Sequence, residues 1–205
     1  VRYRDDDKLY VPIEQLSMLD RFSGAEKPAK LSKIGGTEFA KVKAKVKESV
    51  KTLAFDLLKL YAERESKRGF AFKKDDMLQT EFENSFEYTE TEDQLISLSE
   101  IKKDMESPKI MDRLLCGDVG FGKTEVALRA AFKAVVSGKQ VCFLAPTTIL
   151  SEQHYNTCKT RFMNFGVNVD VLNRFKTPKE AKKTLVDLES GKTDVICGTH
   201  RLLSK

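Results

Sequence analysis

One short run, rich in glycine and ending in Lys-Thr, is the part of this sequence best suited to chemistry. The run matches the pattern G-x-x-x-x-G-K-[ST] and consists of Gly117, Asp118, Val119, Gly120, Phe121, Gly122, Lys123 and Thr124. Glycines let such a loop turn its N–H groups towards phosphate oxygens, and a following helix adds its positive N-terminal end. We expect Lys123 to neutralise the β- and γ-phosphates of a nucleotide and Thr124 to hold Mg²⁺.

Alternating strand-like and helical segments surround this loop. Strand patterns cover 113–116, 141–145, 167–172 and 194–197, and helical patterns cover 123–136, 149–165 and 177–190. Thr177 and Glu180 form a capping box with Pro178 at the first helical position. Strands that alternate with helices predict an α/β fold, with a parallel sheet covered by helices.

A long amphipathic helix is predicted ahead of this α/β region. Thr37 is placed to cap it, Gly69 to end it, and one apolar stripe recurs at steps of three and four: Phe39, Val42, Val46, Val50, Leu53, Leu57, Leu60 and Tyr61. The stripe favours packing along a neighbouring domain, and the alternative is a helix whose lysines meet nucleic acid. Before it, Lys8–Pro12 read as a short β-strand ended by proline.

The charges change sign along the chain. Residues 26–75 carry 14 Lys or Arg against 7 Asp or Glu, whereas 76–106 carry 2 against 10. The reversal indicates modules with different surfaces, or else two solvated faces of ordinary helices. The net charge of +5 permits a polyanionic partner without requiring one.

The remaining composition narrows the class of protein. No apolar run approaches the ~20 residues that a membrane-spanning helix needs, and no signal-peptide pattern is present, so we expect no membrane partner. The cysteines are widely spaced and mostly lie in apolar runs, which favours buried, reduced thiols of a cytoplasmic protein over a zinc site. They are Cys116, Cys142, Cys158 and Cys197.

The order of the motifs resembles that of superfamily-two helicase motors. Gln94 stands where that class has its adenine-reading Q motif, and an amide can both donate to and accept from the adenine edge. The alternative is a polar residue at a helix start. Two further motifs resemble segments that lie on the DNA backbone, where small hydroxyls and open N–H groups suit phosphates, although a proline turn with an ordinary cap would look the same. They comprise Pro146, Thr147, Thr148, Gln153 and His154, and then Gly198, Thr199, His200 and Arg201.

The joined strings resemble one family closely, the bacterial transcription-repair coupling factors (Mfd). The matching segments span nearly the whole chain: Lys8–Pro12, Lys30–Gly36, Leu60–Arg64, Met111–Cys116, Gly117–Ala127 and Pro146–Leu150. RecG-type helicases share the motor motifs but not the N-terminal run.

This resemblance implies an ATP- and Mg²⁺-dependent translocase on double-stranded DNA that displaces stalled RNA polymerase. It implies partners as well: the polymerase β subunit and excision-repair proteins. On the family's plan, residues 1–29 end a polymerase-interacting domain, 30–75 form a connecting helix, and 76–205 begin the first RecA-like helicase lobe.

The sequence also departs from the family's pattern. No Asp-Glu pair has the strand context of motif II, and nothing corresponds to a second lobe. We therefore expect a segment of a longer protein that does not itself hydrolyse ATP at a useful rate. Two other functions stay open: a RecG-type fork-remodelling helicase, and a module that only docks to polymerase.

Overall fold

The structure, a computed structural model, describes residues 1–20, 31 and 33–203. It divides into two compact units, Val1–Arg64 and Glu65–Lys205. The predicted boundary between residues 29 and 30 lies outside the described residues.

Helix α1, Glu38–Ser66, dominates the first unit and confirms the predicted long helix. Its apolar stripe is exposed; Phe39, for example, keeps 65% of its surface and Leu53 keeps 60%. Lysines line the rest of the helix. Within the described ranges, no helix combines the length and apolar character needed to cross a bilayer.

The predicted strand over Lys8–Pro12 is wrong. Short 3₁₀ turns over Arg4–Asp6 and Ile13–Met18 flank this segment, and one isolated antiparallel bridge joins Arg2 to Lys8. A strand needs a neighbouring strand to satisfy its N–H and C=O groups, and the described part of this unit offers none. The unit therefore has no β-sheet among its described residues.

The second unit confirms the α/β fold with a parallel sheet. Three strands, β1 (Val141–Leu144), β2 (Val169–Leu172) and β3 (Val195–Gly198), pair in the order β1-β3-β2. The helices are α2 (Met77–Asn84), α3 (Glu92–Met105), α4 (Lys123–Val136), α5 (Thr148–Phe162) and α6 (Pro178–Glu189). Short 3₁₀ turns follow α5 at Met163–Phe165 and β3 at His200–Leu203.

Stacked phenylalanines join the helices over the sheet. Phe82 of α2 lies 4.3 Å from Phe132 of α4, centroid to centroid, and 5.3 Å from Phe162 of α5. All three rings are at least 98% buried. Burying aromatic rings of this size contributes several kcal/mol, so α2 belongs to the core that holds α4 in place.

The predicted strand over 113–116 does not form either. Arg113 instead reaches α3, where its guanidinium lies 2.5 Å from Glu100 and 2.6 Å from Asp104. Leu114 is 86% exposed. This segment pairs with no strand in the described part of the chain, so side-chain ion pairs rather than a β ladder attach it.

The prediction that the thiols are buried holds for only two cysteines. Cys158 of α5 and Cys197 of β3 are buried with their sulfurs 3.9 Å apart, whereas Cys116 and Cys142 are exposed. The neighbouring Cys158 thiol and burial raise the pKa of Cys197, which keeps it protonated at neutral pH. Cys142 is exposed because it occupies the outward face of β1.

Paired charges attach α3 to α4. Lys133 of α4 is 97% buried and lies 2.6 Å from Asp75 and 2.7 Å from Glu106, and Lys102 of α3 lies 2.6 Å from Asp75. Burial acts to raise the pKa of Asp75, but hydrogen bonds from Lys102 and Lys133 outweigh it and hold that pKa below 3.8.

We expect acid to weaken this attachment. A carboxyl whose folded pKa is depressed contributes stability above its ordinary pKa of 3.8, and this stability is lost as the pH falls through the folded value. Asp75→Asn should lower the free energy of unfolding by about 1–3 kcal/mol at neutral pH, and the difference from the unaltered chain should shrink as the pH falls below 3.8. Urea denaturation followed by circular dichroism measures both effects. Glu87→Gln, which alters an exposed carboxyl, is the control, and equal pH slopes for Asp75→Asn and the unaltered chain would contradict the prediction.

Candidate nucleotide and nucleic-acid sites

The glycine-rich loop turns directly into α4, as predicted. Gly120 has φ +88° and Gly122 has φ +65°, conformations that glycine adopts without a steric cost. Gly122 is the N-cap of α4, so the first helical residues are Lys123 and Thr124. The positive end of the α4 dipole therefore points into the loop.

Gly122 also has no room for a side chain. A Cβ at this position would come within 2.5 Å of the Nε2 atom of Gln94. The missing Cβ allows the loop to lie directly against the first turn of α3. The candidate phosphate loop and the candidate adenine-reading residue are thus in contact, although Gln94 and Phe121 are 27 positions apart in the sequence.

The lysine of the loop folds back over it. The Lys123 Nζ atom donates to the carbonyl oxygens of Gly117, at 2.6 Å, and of Asp118, at 2.5 Å. In the described part of the chain, no backbone carbonyl accepts from the N–H groups of Gly122, Lys123 or Thr124. The loop therefore presents an ammonium group and open amides, which is the donor set that a polyphosphate requires.

Gln94 fits both alternatives that the sequence left open. It is the third residue of α3 and forms a capping box with Thr91, whose N–H donates to the Gln94 Oε1 atom at 3.0 Å. Its Nε2 atom donates to the carbonyl oxygen of Phe121 at 3.1 Å. Each polar atom of the amide keeps further capacity, so the cap orients the side chain without exhausting it. A cleft of about 120 Å³ opens between this turn and the loop.

A buried arginine beside the loop was missed by sequence reasoning. Arg129, on α4, is 2% exposed and lies 2.6 Å from Glu90 and 2.9 Å from Glu125. Glu125 is shared with Arg161 of α5, at 2.8 Å. The hydrogen bond from Arg129 lowers the pKa of Glu90. The spacing of Glu125 and Arg129, four residues apart on one helix, was the available signal.

The first candidate DNA motif lies where β1 ends. Pro146 and Thr147 are exposed, and Thr148 is the first residue of α5. The Thr147 hydroxyl accepts from the N–H of Leu150 at 3.2 Å, which is the ordinary cap left open as an alternative. Further along α5, Gln153 is exposed, and His154 is half-buried with its ring 6.1 Å from that of Phe143.

The second candidate DNA motif lies where β3 ends, at the same edge of the parallel sheet. Gly198 and Thr199 are buried, and a Cβ on Gly198 would come within 2.6 Å of the Leu172 carbonyl oxygen. His200 and Arg201 are exposed on the following turn. The exposed surface of this motif therefore consists of His200 and Arg201.

The loop after β2 completes this edge and was not predicted as part of it. Asn173 is fully buried; its side-chain Nδ2 atom donates to Glu152 at 2.8 Å, and its backbone carbonyl oxygen accepts from Arg201 at 3.4 Å. Arg174 and Phe175 are exposed beside it. The run of Asn, Arg, Phe and Lys at 173–176, directly after an apolar strand, was the signal that the sequence offered.

With this geometry established, comparison with known proteins decides the family. The sequence pattern of the DEAD/DEAH box helicases matches residues 91–205, which include Gln94, the phosphate loop and both candidate DNA motifs. The chain belongs to the DEAD/DEAH box helicase family. Helicases of this family generally use ATP and Mg²⁺.

Similar proteins agree with the predicted resemblance. The chain is 57% identical over its full length to the transcription-repair-coupling factor of Bacillus subtilis (strain 168), and 50% identical to that of Staphylococcus aureus (strain USA300). It spans 18% of the length of each of these curated relatives. A solved structure of RecG bound to a three-way DNA junction matches 71% of this helicase chain and 20% of that one, with a TM-score of 0.67 and 40% identity.

Lys123 provides the direct test of the nucleotide site. In the protein that carries this segment, Lys123→Ala should reduce ATP affinity about 10- to 100-fold, because a charged hydrogen bond of this kind is worth about 1.5–3 kcal/mol. Isothermal titration with Mg²⁺-ATP measures the change. Lys179→Ala, which removes an exposed lysine of α6, serves as control. A folded Lys123→Ala protein with unchanged affinity would show that the loop does not bind phosphate.

Proposed function

We propose that this chain is a segment of a transcription-repair coupling factor, an ATP-dependent translocase on double-stranded DNA that displaces stalled RNA polymerase. The phosphate loop held against Gln94 carries the nucleotide part of the proposal. The identity of 57% over the whole chain supports the parent protein's role. On this proposal, 1–29 end a polymerase-interacting domain, 30–75 connect it to the motor, and 76–205 begin the first motor lobe.

ATP fits the donor set of the loop. Lys123 and the open amides would hold the phosphates, Thr124 would hold Mg²⁺, and Gln94 would read the adenine edge. Bound ATP supplies the free energy of phosphoryl transfer that drives translocation. In binding it, Lys123 exchanges two neutral carbonyl acceptors for charged phosphate oxygens, and charged acceptors form the stronger hydrogen bonds.

Of the steps in this activity, the segment alone is expected to perform only the binding of ATP. Hydrolysis in such motors requires a carboxylate pair and a second lobe that closes over the nucleotide, for which the sequence supplies no counterpart. The segment alone is expected to bind ATP weakly and not to turn it over. The parent protein should hydrolyse ATP in a DNA-stimulated reaction.

Duplex DNA fits the carboxyl edge of the sheet. Thr147 and Thr148 offer hydroxyls and Arg201 offers a cation at strand ends, and the ring of His200 is exposed beside Arg201. Such groups contact phosphates and carry no base code. The proposal therefore predicts binding that depends on salt and not on base sequence.

Release of a stalled transcription complex tests the function as a whole. The full-length protein and ATP should free labelled transcript from a polymerase halted by nucleotide omission, and Lys123→Ala should not. A pull-down with the polymerase β subunit tests the predicted partner. Binding of the β subunit by a protein that shows no DNA-stimulated ATP hydrolysis would favour the docking module instead.

A RecG-type fork-remodelling helicase is the second candidate, favoured by the structural match to RecG. That match covers 71% of the chain, whereas the coupling factors match all of it. The two functions differ in their DNA substrate. Equal stimulation of ATP hydrolysis by linear and branched duplexes supports the coupling factor, and stimulation by branched junctions alone supports the second candidate.

Arg201 tests the proposed DNA edge. Arg201→Ala should weaken binding similarly on any duplex and reduce the slope of log affinity against log salt by about one unit. Fluorescence anisotropy over a salt series measures both. Lys192→Ala, which removes a cation ahead of β3 at the opposite edge, should leave the slope unchanged. A loss confined to one DNA sequence would contradict a backbone contact.

The stripe of α1 tests coupling between polymerase and motor. We expect it to pack on the motor lobes of the parent protein, where Val46→Ala and Leu53→Ala would each remove buried methyl groups at roughly 1–4 kcal/mol. The double variant should keep ATP hydrolysis but lose release of stalled polymerase, measured in the same transcript assay. Glu48→Ala with Lys51→Ala alters the opposite face as a control. If the Val46/Leu53 variant releases stalled polymerase normally, α1 only separates two domains and has no coupling role.

A further inference from the structure

The segment 90–94 is held at both of its ends, at one end to α4 and at the other to the phosphate loop that precedes α4. At the start, Glu90 lies 2.6 Å from the guanidinium of Arg129. At the end, the Gln94 amide is fixed between the Thr91 N–H, at 3.0 Å, and the Phe121 carbonyl oxygen, at 3.1 Å. These contacts determine where the candidate adenine-reading amide stands.

Arg129 is itself held by contacts on several sides. It is 2% exposed, and its Nε atom donates to Glu125 at 2.9 Å. Its guanidinium carbon, Cζ, lies 5.3 Å from the centroid of the Phe86 ring. Glu125 is in turn bound by Arg161. Glu125 directly follows Thr124 in the sequence. The residues proposed to bind the base and those proposed to bind the phosphates are therefore both positioned by the start of α4.

The orientation of the Gln94 amide decides which base it accepts. Adenine presents an amino donor beside a ring acceptor, whereas guanine presents an oxo acceptor in the place of that amino group. A half-turn of an amide about its last torsion exchanges its donor and acceptor. An amide that is free to turn would therefore serve both bases, and one that is held would serve adenine alone.

We infer that Arg129 is a positioning residue for base selection. It holds Glu90, and Glu90 in turn fixes the turn that orients the Gln94 amide. This inference rests on the ATP site proposed above and extends it to specificity. A purely structural ion pair would affect folding and the binding of any polyphosphate alike. A positioning role affects the preference for ATP over GTP.

Two substitutions in the full-length protein test the inference. Glu90→Gln keeps the side-chain shape and removes the charge, and Arg129→Lys keeps the charge but does not reach both carboxylates. Each should lower the ratio of ATP to GTP affinity about tenfold, the effect of one charge-assisted hydrogen bond. The affinity for inorganic tripolyphosphate should stay unchanged. Glu87→Gln, the same chemical change on an exposed neighbour, should leave the ratio at its original value.

Isothermal titration with the three ligands, after circular dichroism has shown that each variant is folded, separates the outcomes. Folded Glu90→Gln and Arg129→Lys proteins with an unchanged ratio would overturn the inference and leave the ATP site intact. An equal loss for all three ligands would also overturn it, because Arg129 would then support the phosphate loop. If the unaltered protein binds ATP no better than Lys123→Ala does, the proposed function itself fails.

Discussion

The buried guanidinium of Arg129 is the interaction on which the arrangement of the second unit depends. Removing a charge from water costs several kcal/mol unless partners replace the solvent. Here Glu90 and Glu125 supply two carboxylates, and the Arg129 backbone carbonyl accepts from Gln79 of α2 at 3.2 Å. One residue of α4 thereby fixes α2 and the segment ahead of α3 together. Without it, Glu90 would lose the cation that compensates its charge, and Glu125 would keep only Arg161.

This pairing also explains the acidic stretch over 76–106. The sequence allowed either the surface of a separate module or an ordinary solvated helix face. Neither interpretation describes the carboxylates of this stretch that form ion pairs with α3 and α4. Glu83, Glu90 and Glu106 face the cations of α3 and α4, at Lys102, Arg129 and Lys133 respectively. Charge counts along a chain do not reveal such pairs, because the partners lie 19 to 39 residues apart. These carboxylates therefore serve as partners for cations of the helices packed against them, and none of the three cations lies in the basic stretch 26–75.

Local signals were most informative where they coincided. The start of α4 was predicted correctly because a turn-forming glycine, a phosphate-loop pattern and a helical stripe meet at Lys123. The capping boxes at Thr177 and Thr91 are both present, yet only the first was used to place a helix. The strands predicted at 8–12 and 113–116 were wrong because a strand is completed by its neighbour. Apolar residues alone do not show whether a neighbour is present. In the candidate site, the motif residues were predictable, whereas the buried arginine and Asn173 follow from tertiary packing.

The candidate nucleotide and DNA surfaces are joined through rigid elements. Helix α4 runs from Lys123 back to the turn at Gly138, and β1 then returns to Thr147 at the carboxyl edge. Phe132, on α4, is 98% buried against Phe82 and Phe162, so the helix has little freedom to bend. At the same edge, Asn173 connects α5 to the turn that carries Arg201. A ligand that displaces the start of α4 must therefore move packed elements as bodies, since close-packed interiors transmit strain instead of absorbing it. The compact core thus places both candidate surfaces on one mechanical unit.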